Sequence, residues 1–228
     1  MRKFSVYFAL FLFLFSAGCA SSPPEKGVEV PAILKIYLVR HGQAYSNLPL
    51  ASLMSKEKRD SLTPEGSQQA KETGDYLRGK NIVAVIASPT GRTRETARII
   101  AEELGLKGVF TENASFASMK DGKTPDGKPS NIAWRVSQWS AGQDLRPEGG
   151  ESLGDATKRA VEAVETFAAS YRGKALVIVS HSDICAGLAG HADNTPVHQR
   201  YDKHSIGFAS VIEIGILQQG TWRLLGKT

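Results

Sequence analysis

Cysteine is scarce. The 228 residues hold two, Cys19 and Cys185, which excludes a disulfide framework, because an exported fold stapled by disulfides normally carries an even set within its mature domain. A strong charge of one sign is lacking too. The net charge is +5, no block of Lys or Arg occurs, and without Arg2 and Lys3 the balance is 26 basic against 23 acidic residues. So weak an excess lacks the basic footprint of a nucleic-acid binder. Long apolar runs are missing as well: Val6 to Phe15 gives ten residues, where a membrane-spanning helix needs roughly 20. Aromatics are thin in the rest of the chain, since five of the nine Phe lie at or before Phe15. No internal repeat is visible. An apolar fraction of 41% with 22% charged residues excludes a disordered or fibrous chain and leaves one globular domain.

What is present begins with a leader. Met1-Arg2-Lys3 is a positive start, the short apolar stretch follows, and Ser16-Ala17-Gly18 supplies small residues, the layout of a secretory signal over residues 1–18. Ser16-Ala17-Gly18-Cys19 resembles the bacterial lipobox, with Ser16 in place of the usual Leu. This implies that Cys19 is acylated and becomes the mature N-terminus, and two or three acyl chains suffice for stable anchoring. Ala20 in the next position leans toward the outer membrane, facing the periplasm. Residues 19–31, Pro-rich and polar around Ser21 to Gly27, read as a tether that holds a domain of residues 32–228 off the membrane.

From Ile33 onward, apolar runs of strand length alternate with helical periodicity, the pattern of a three-layer α/β/α sandwich with a largely parallel central sheet. Strands are expected at Ile33 to Val39, Ile82 to Ala87, Lys107 to Thr111 and Ala175 to Val179, the last the most apolar and therefore central. Two late strands should run from Phe208 to Ile214 and from Thr221 to Leu225. Thr63-Pro64 and Ser88-Pro89 each read as a cap followed by proline in the first helical turn. The first of these helices should run to about Arg78, and Gly105 should end the second. Ser152-Leu153-Gly154-Asp155 fits a capping box for a helix reaching Tyr171. Glu112 to Gly150, rich in Gly, Pro, Asn, Asp and Ser, reads as a long insertion. Its Trp134 and Trp139 are suited equally to a substrate mouth or to a small core of its own. A short helix should follow His181, and then a polar stretch through Ser205.

Two strands end in histidine, at Arg40-His41-Gly42 and at Ser180-His181-Ser182. In an open α/β sheet ligands bind beyond the carboxyl ends of the strands, so both imidazoles should reach one rim. Arg40 stands beside His41, and Arg92 opens a helix whose N–H groups attract anions. Two Arg, two His and a helix N-terminus suit a phosphate dianion. With no carboxylate cluster for a divalent ion, the set calls for neither metal nor cofactor. His191, Asp193, His198, Asp202 and His204 fit no metal-ligand spacing and read as a surface loop.

Several of these segments together resemble the successive motifs of the histidine phosphatase superfamily, the phosphoglycerate mutase-like fold. They are Arg40-His41-Gly42 with Asn47; Leu62 to Gly66 with Gln69-Ala70; Ser88 with Arg92 and Thr96-Ala97; Pro147 to Ser152; and Ser180-His181. The resemblance implies that His41 is the nucleophile and takes a phosphoryl group onto a ring nitrogen. Arg40, Arg92 and His181 would then hold the phosphoryl oxygens, and Asn47 would donate a further hydrogen bond, with Gly42 and Ser182 at the substrate. The two arginines should keep His41 neutral. Water would then hydrolyse the phosphohistidine.

The chain departs from the family where a general acid is expected. In place of a Glu in a Leu-x-Glu context after the third strand, the aligned stretch reads Ser115-Phe116-Ala117-Ser118. Glu112, Asp121 and Asp183 are the candidates that remain. Ser182 stands where Gly is more usual and Thr93 where Ala is. The implied activity is an extracytoplasmic, metal-independent phosphatase acting on a small phosphorylated substrate. A phosphate-binding or interaction lipoprotein without turnover is the reading from another class, and a phosphoglycerate mutase the second enzymatic one.

Overall fold

The computed structural model describes residues 32–106, 108 and 110–228. The leader (residues 1–18), Cys19 and the whole of the tether (residues 19–31) lie outside the described residues.

The strands are β1 (Leu34–Arg40), β2 (Ile82–Ala87), β3 (Phe110–Glu112), β4 (Lys174–Ser180), β5 (Val211–Ile216) and β6 (Trp222–Lys227). They form one sheet in the order β3-β2-β4-β1-β5-β6. The first four run parallel to one another, while β5 and β6 add an antiparallel edge. The helices are α1 (Lys56–Arg59), α2 (Pro64–Tyr76), α3 (Gly91–Glu103), α4 (Ile132–Ser140), α5 (Leu153–Ser170), α6 (Ser182–Ala192) and α7 (Val197–His204).

Alternation along the strands sorts the core onto two faces. Ile36, Leu38, Leu176 and Ile178 meet Leu153, Ala160 and Val164 of α5 and Ile184 and Leu188 of α6. Tyr37, Val39, Val177 and Val179 meet Ala97, Ile100 and Ala101 of α3. β4 is apolar at nearly every position because helices cover it on both sides. Each fully buried Leu or Ile contributes about 1.5–3 kcal/mol. Thr63 caps α2 by accepting from Gly66 N, and the Ser152–Asp155 capping box opens α5. Gly105 adopts a φ of +72° just past α3, a left-handed turn suited to glycine.

The structure corrects the bounds of several strands and of α3, and the element type of two segments. β1 and β5 sit one to three residues further along than the apolar runs suggest, and β6 begins at Trp222. β3 covers Phe110–Glu112 in place of Lys107 to Thr111, of which Lys107 and Val109 lie outside the described residues. α3 starts at Gly91 and not behind Ser88-Pro89, because Ser88 Oγ is bonded to His181 Nε2 and caps nothing. The 112–150 segment is not plain loop. Asn131 caps α4 within it by accepting from Trp134 N, and Phe116, Met119 and Trp139 enter the main core. Trp139 therefore belongs to the core, its ring centroid 5.1 Å from that of Tyr201 and its Nε1 donating to Asp144 at 2.9 Å. The stretch expected to be polar loop through Ser205 holds α7. Its His204 is buried and bonded to Thr195 and Asp193, while His191 lies edge-on to Trp222. The five residues read as surface loop are thus spread over two helices and their link, and among the described residues no group of three His, Cys, Asp or Glu converges.

Candidate active site

Strand register places the two histidines side by side. β1 and β4 are parallel neighbours with Arg40 opposite Ser180, so the next residue of each, His41 and His181, leaves the sheet at the same level. His41 N donates to Ser180 O at 3.0 Å, and the ring centroids are 5.4 Å apart. β2 flanks β4 on the other side, and Ser88, just past its end, donates its N–H to Val179 O. Three adjacent carboxyl ends thus deliver Ser88, His181 and His41 in a row at one rim, as the strand-end rule requires.

Hydrogen bonds fix the protons on both rings. His41 Nδ1 lies 2.8 Å from Gly42 O, an acceptor only, so Nδ1 carries the hydrogen and Nε2 keeps its lone pair. Arg92 Nε donates to that Nε2 at 3.3 Å. Arg92 Nη2 donates to His181 Nδ1 at 3.3 Å, which leaves His181 Nε2 to donate to Ser88 Oγ at 2.8 Å. Burial pushes the His41 imidazole down to about 3, helped by His181 and then by Arg92 and Arg40. Burial, followed by Arg92, does the same to His181, also to about 3. Both rings are therefore neutral. The arginines expected to keep His41 uncharged contribute less than its desolvation.

Arg92 lies in the first turn of α3, and a residue the sequence reading missed holds it there. Asp60 accepts from Arg92 Nη1 at 2.6 Å and, through its other oxygen, from Gly91 N at 2.7 Å. One carboxylate thus aims the guanidinium and satisfies the start of the helix. A Cβ on Gly91 would stand 2.5 Å from Asp60 O, so only glycine lets these backbones meet. Arg40 sits with its guanidinium carbon 4.0 Å over the Phe208 ring, Nη1 donating to Ile206 O at 2.8 Å. Its Nε is buried without a partner among the described residues.

Around these groups is a cleft of about 280 Å³. Arg40, His41, Asn47, Arg92, His181 and Ser182 all line it. Gly42 does not. It packs where a Cβ would stand 2.4 Å from Gly66 O, and its N–H donates to Thr96 Oγ1, so its role is to let α2 and the β1 turn touch. Asn47 points Oδ1 at Ala44 N, 3.0 Å away. Of the three candidate acids, Asp121 and Asp183 line the cleft, whereas Glu112 is exposed elsewhere and pairs with Arg94 at 3.7 Å. Arg135 of α4, also in the lining, was not foreseen. It is buried at 4% exposure and donates to Glu151 O and Lys120 O.

Such a site can bind an oxyanion against two arginines and offer it a neutral imidazole lone pair. The chain is similar to proteins of known sequence and of known structure. The chain is 30% identical over 152 residues to a probable phosphoglycerate mutase GpmB of Erwinia tasmaniensis, an alignment covering 65% of this chain and 70% of the relative. Among solved structures it superposes on a mycobacterial glucosyl-3-phosphoglycerate phosphatase in complex with VO3 (TM-score 0.65, 22% identity, 83% of this chain and 96% of that one). It superposes likewise on a phosphoserine phosphatase mutant of Entamoeba histolytica in complex with phosphoserine (TM-score 0.65, 22% identity, 85% and 96%). Residues 36–227, which include His41, Arg92 and His181, match the histidine phosphatase superfamily (branch 1), and the chain belongs to that superfamily.

Proposed function

We propose that this protein is a phosphatase that works outside the cytoplasm, hydrolysing a small phosphomonoester through a phosphohistidine on His41. The observation that carries the reading is the His41 Nε2 lone pair, held in an arginine-lined cleft by the Nδ1 bond to Gly42 O. Nε2 attacks phosphorus, and the ester oxygen leaves. Arg40 and Arg92 gather the charge that spreads over the phosphoryl oxygens, and the neutral rings cost no extra desolvation at that moment. Water then cleaves the P–N bond and restores the imidazole, so that one difficult displacement becomes two easier ones. The named phosphatases of the same fold, one crystallised with phosphoserine, support a small phosphorylated substrate. The leader and the Cys19 motif support export with a lipid anchor.

The test is release of p-nitrophenol from p-nitrophenyl phosphate by the domain beginning at Ala20, with EDTA present, beside His41→Ala. Turnover that the variant loses is the expected result. Turnover that survives His41→Ala sinks the mechanism, and vanadate binding without turnover transfers the protein to the class of phosphate binders. The relatives named as probable phosphoglycerate mutases favour one further assay, interconversion of 2- and 3-phosphoglycerate. Net hydrolysis with no interconversion is expected.

A further inference from the structure

Expulsion of an alkoxide needs a proton, and the stretch after β3 offers only Ser115 to Ser118. Four carboxylates come into question, and their surroundings separate them. Asp60 has one oxygen on Arg92 and the other on Gly91 N. Glu112 lies outside the lining and pairs with Arg94. Asp121 lines the mouth but is exposed, and no described residue bonds its carboxylate, so nothing holds its direction. Asp183 is different. In the first turn of α6, two residues past His181, it lines the cleft at 5% exposure. Its Oδ2 accepts from Ser118 Oγ and from Met119 N, both at 2.7 Å. Its Oδ1 has no partner among the described residues, yet is not sealed from the cleft.

We infer that Asp183 is the general acid of this site, an assignment that rests on the phosphatase reading. A carboxylic acid needs one oxygen to accept and the other to carry the proton, and the fold supplies that division. Ser118 and the Met119 N–H anchor Oδ2, leaving Oδ1–H to face the substrate. Fixing a catalytic group from behind is what distinguishes a usable donor from one adrift in solvent. As His41 Nε2 bonds to phosphorus and the P–O bond breaks, the electron pair goes to the ester oxygen and the Oδ1 proton follows it, giving an alcohol and the Asp183 carboxylate. In the second step that carboxylate takes a proton from the attacking water while the P–N bond returns its pair to Nε2. Inorganic phosphate leaves and the acid is restored.

Asp183→Asn tests this against leaving groups of opposite need. For glycerol 2-phosphate, kcat/KM should fall about 10²- to 10⁴-fold. For p-nitrophenyl phosphate, whose leaving phenolate needs no proton, it should fall less than about tenfold, with phosphohistidine accumulating because water is no longer activated. Retained vanadate binding reports the fold, and Glu112→Gln should behave as wild type. Ser118→Ala, which removes one bond from Oδ2 and keeps the carboxylate, should show the same selectivity at about tenfold. Equal losses on both esters in these variants overturn the assignment, as does a selective loss that appears in Asp121→Asn instead. Activity that survives His41→Ala overturns the phosphatase reading itself, and this assignment with it.

Discussion

Arg92 makes three kinds of contact at once, to His41, to His181 and to Asp60, and the last decides where the first two point. Asp60→Asn keeps the shape but removes the charge that aims the guanidinium. A hydrogen bond to a charged group is worth about 1.5–3 kcal/mol, so kcat/KM for p-nitrophenyl phosphate should drop about ten- to hundredfold; an unchanged value would show that α3 alone positions Arg92. The histidines also write a pH dependence into stability. Both are held near 3 when folded against an ordinary value of 6.5, so between these limits the unfolded chain binds more protons than the folded one. Stability should therefore be complete above about pH 6.5 and fall as the pH drops toward 3. Urea midpoints measured from pH 7 to 4.5 should decline more steeply for the wild type than for His41→Asn with His181→Asn. Identical slopes would assign the acid loss to other groups.

At the scale of elements, α4 is pinned by one buried side chain. Arg135 donates to Glu151 O at 2.7 Å and Lys120 O at 3.1 Å, joining both ends of the 120–151 segment beside the cleft. Arg135→Met keeps the packing of the stem but leaves Glu151 O without a donor, while Lys120 O keeps the N–H of Glu151. At about 1–3 kcal/mol for the unsatisfied group, the melting temperature of a domain of this size should fall by about 2–12 °C, and proteolysis within 120–131 should quicken. A melting temperature that does not move would mean that water replaces the guanidinium. This segment also shows where sequence patterns stop being informative. β2, β4, the Ser152 capping box and the two strand-end histidines are local signals, readable because apolar runs, caps and strand ends are each set within a few residues. α4 was hidden because the Gly, Pro and Asp of 120–130 dominate its neighbourhood, and α7 because its sequence is almost wholly polar. Asp60 was hidden for a different reason: its two bonds reach Gly91 and Arg92, some thirty residues on, and no local pattern encodes them. The order β3-β2-β4-β1, which sets His41 beside His181, is likewise a fact of long-range pairing.

At the scale of the whole molecule, the proposed phosphatase activity and the leader expected from the sequence pose one question together: how the domain would be kept where its substrate passes. The described domain begins at residue 32, and in the proposed reading the Pro-rich stretch before it would serve as a tether. Acylation of Cys19 would give at least two chains, above the threshold for stable attachment, whereas one chain binds only reversibly. The full-length protein expressed in a Gram-negative host should take up labelled palmitate and fractionate with the outer membrane. Cys19→Ala should lose the label and the membrane association while p-nitrophenyl phosphate turnover in the released protein is unchanged, because residue 19 lies outside the domain that carries the cleft. Recovery of the wild type unlabelled in the soluble fraction would refute the anchor and reduce the leader to plain secretion. Recovery from the cytoplasm with Met1 to Gly18 intact would refute export, and would return the cytoplasmic phosphoglycerates to the set of candidate substrates.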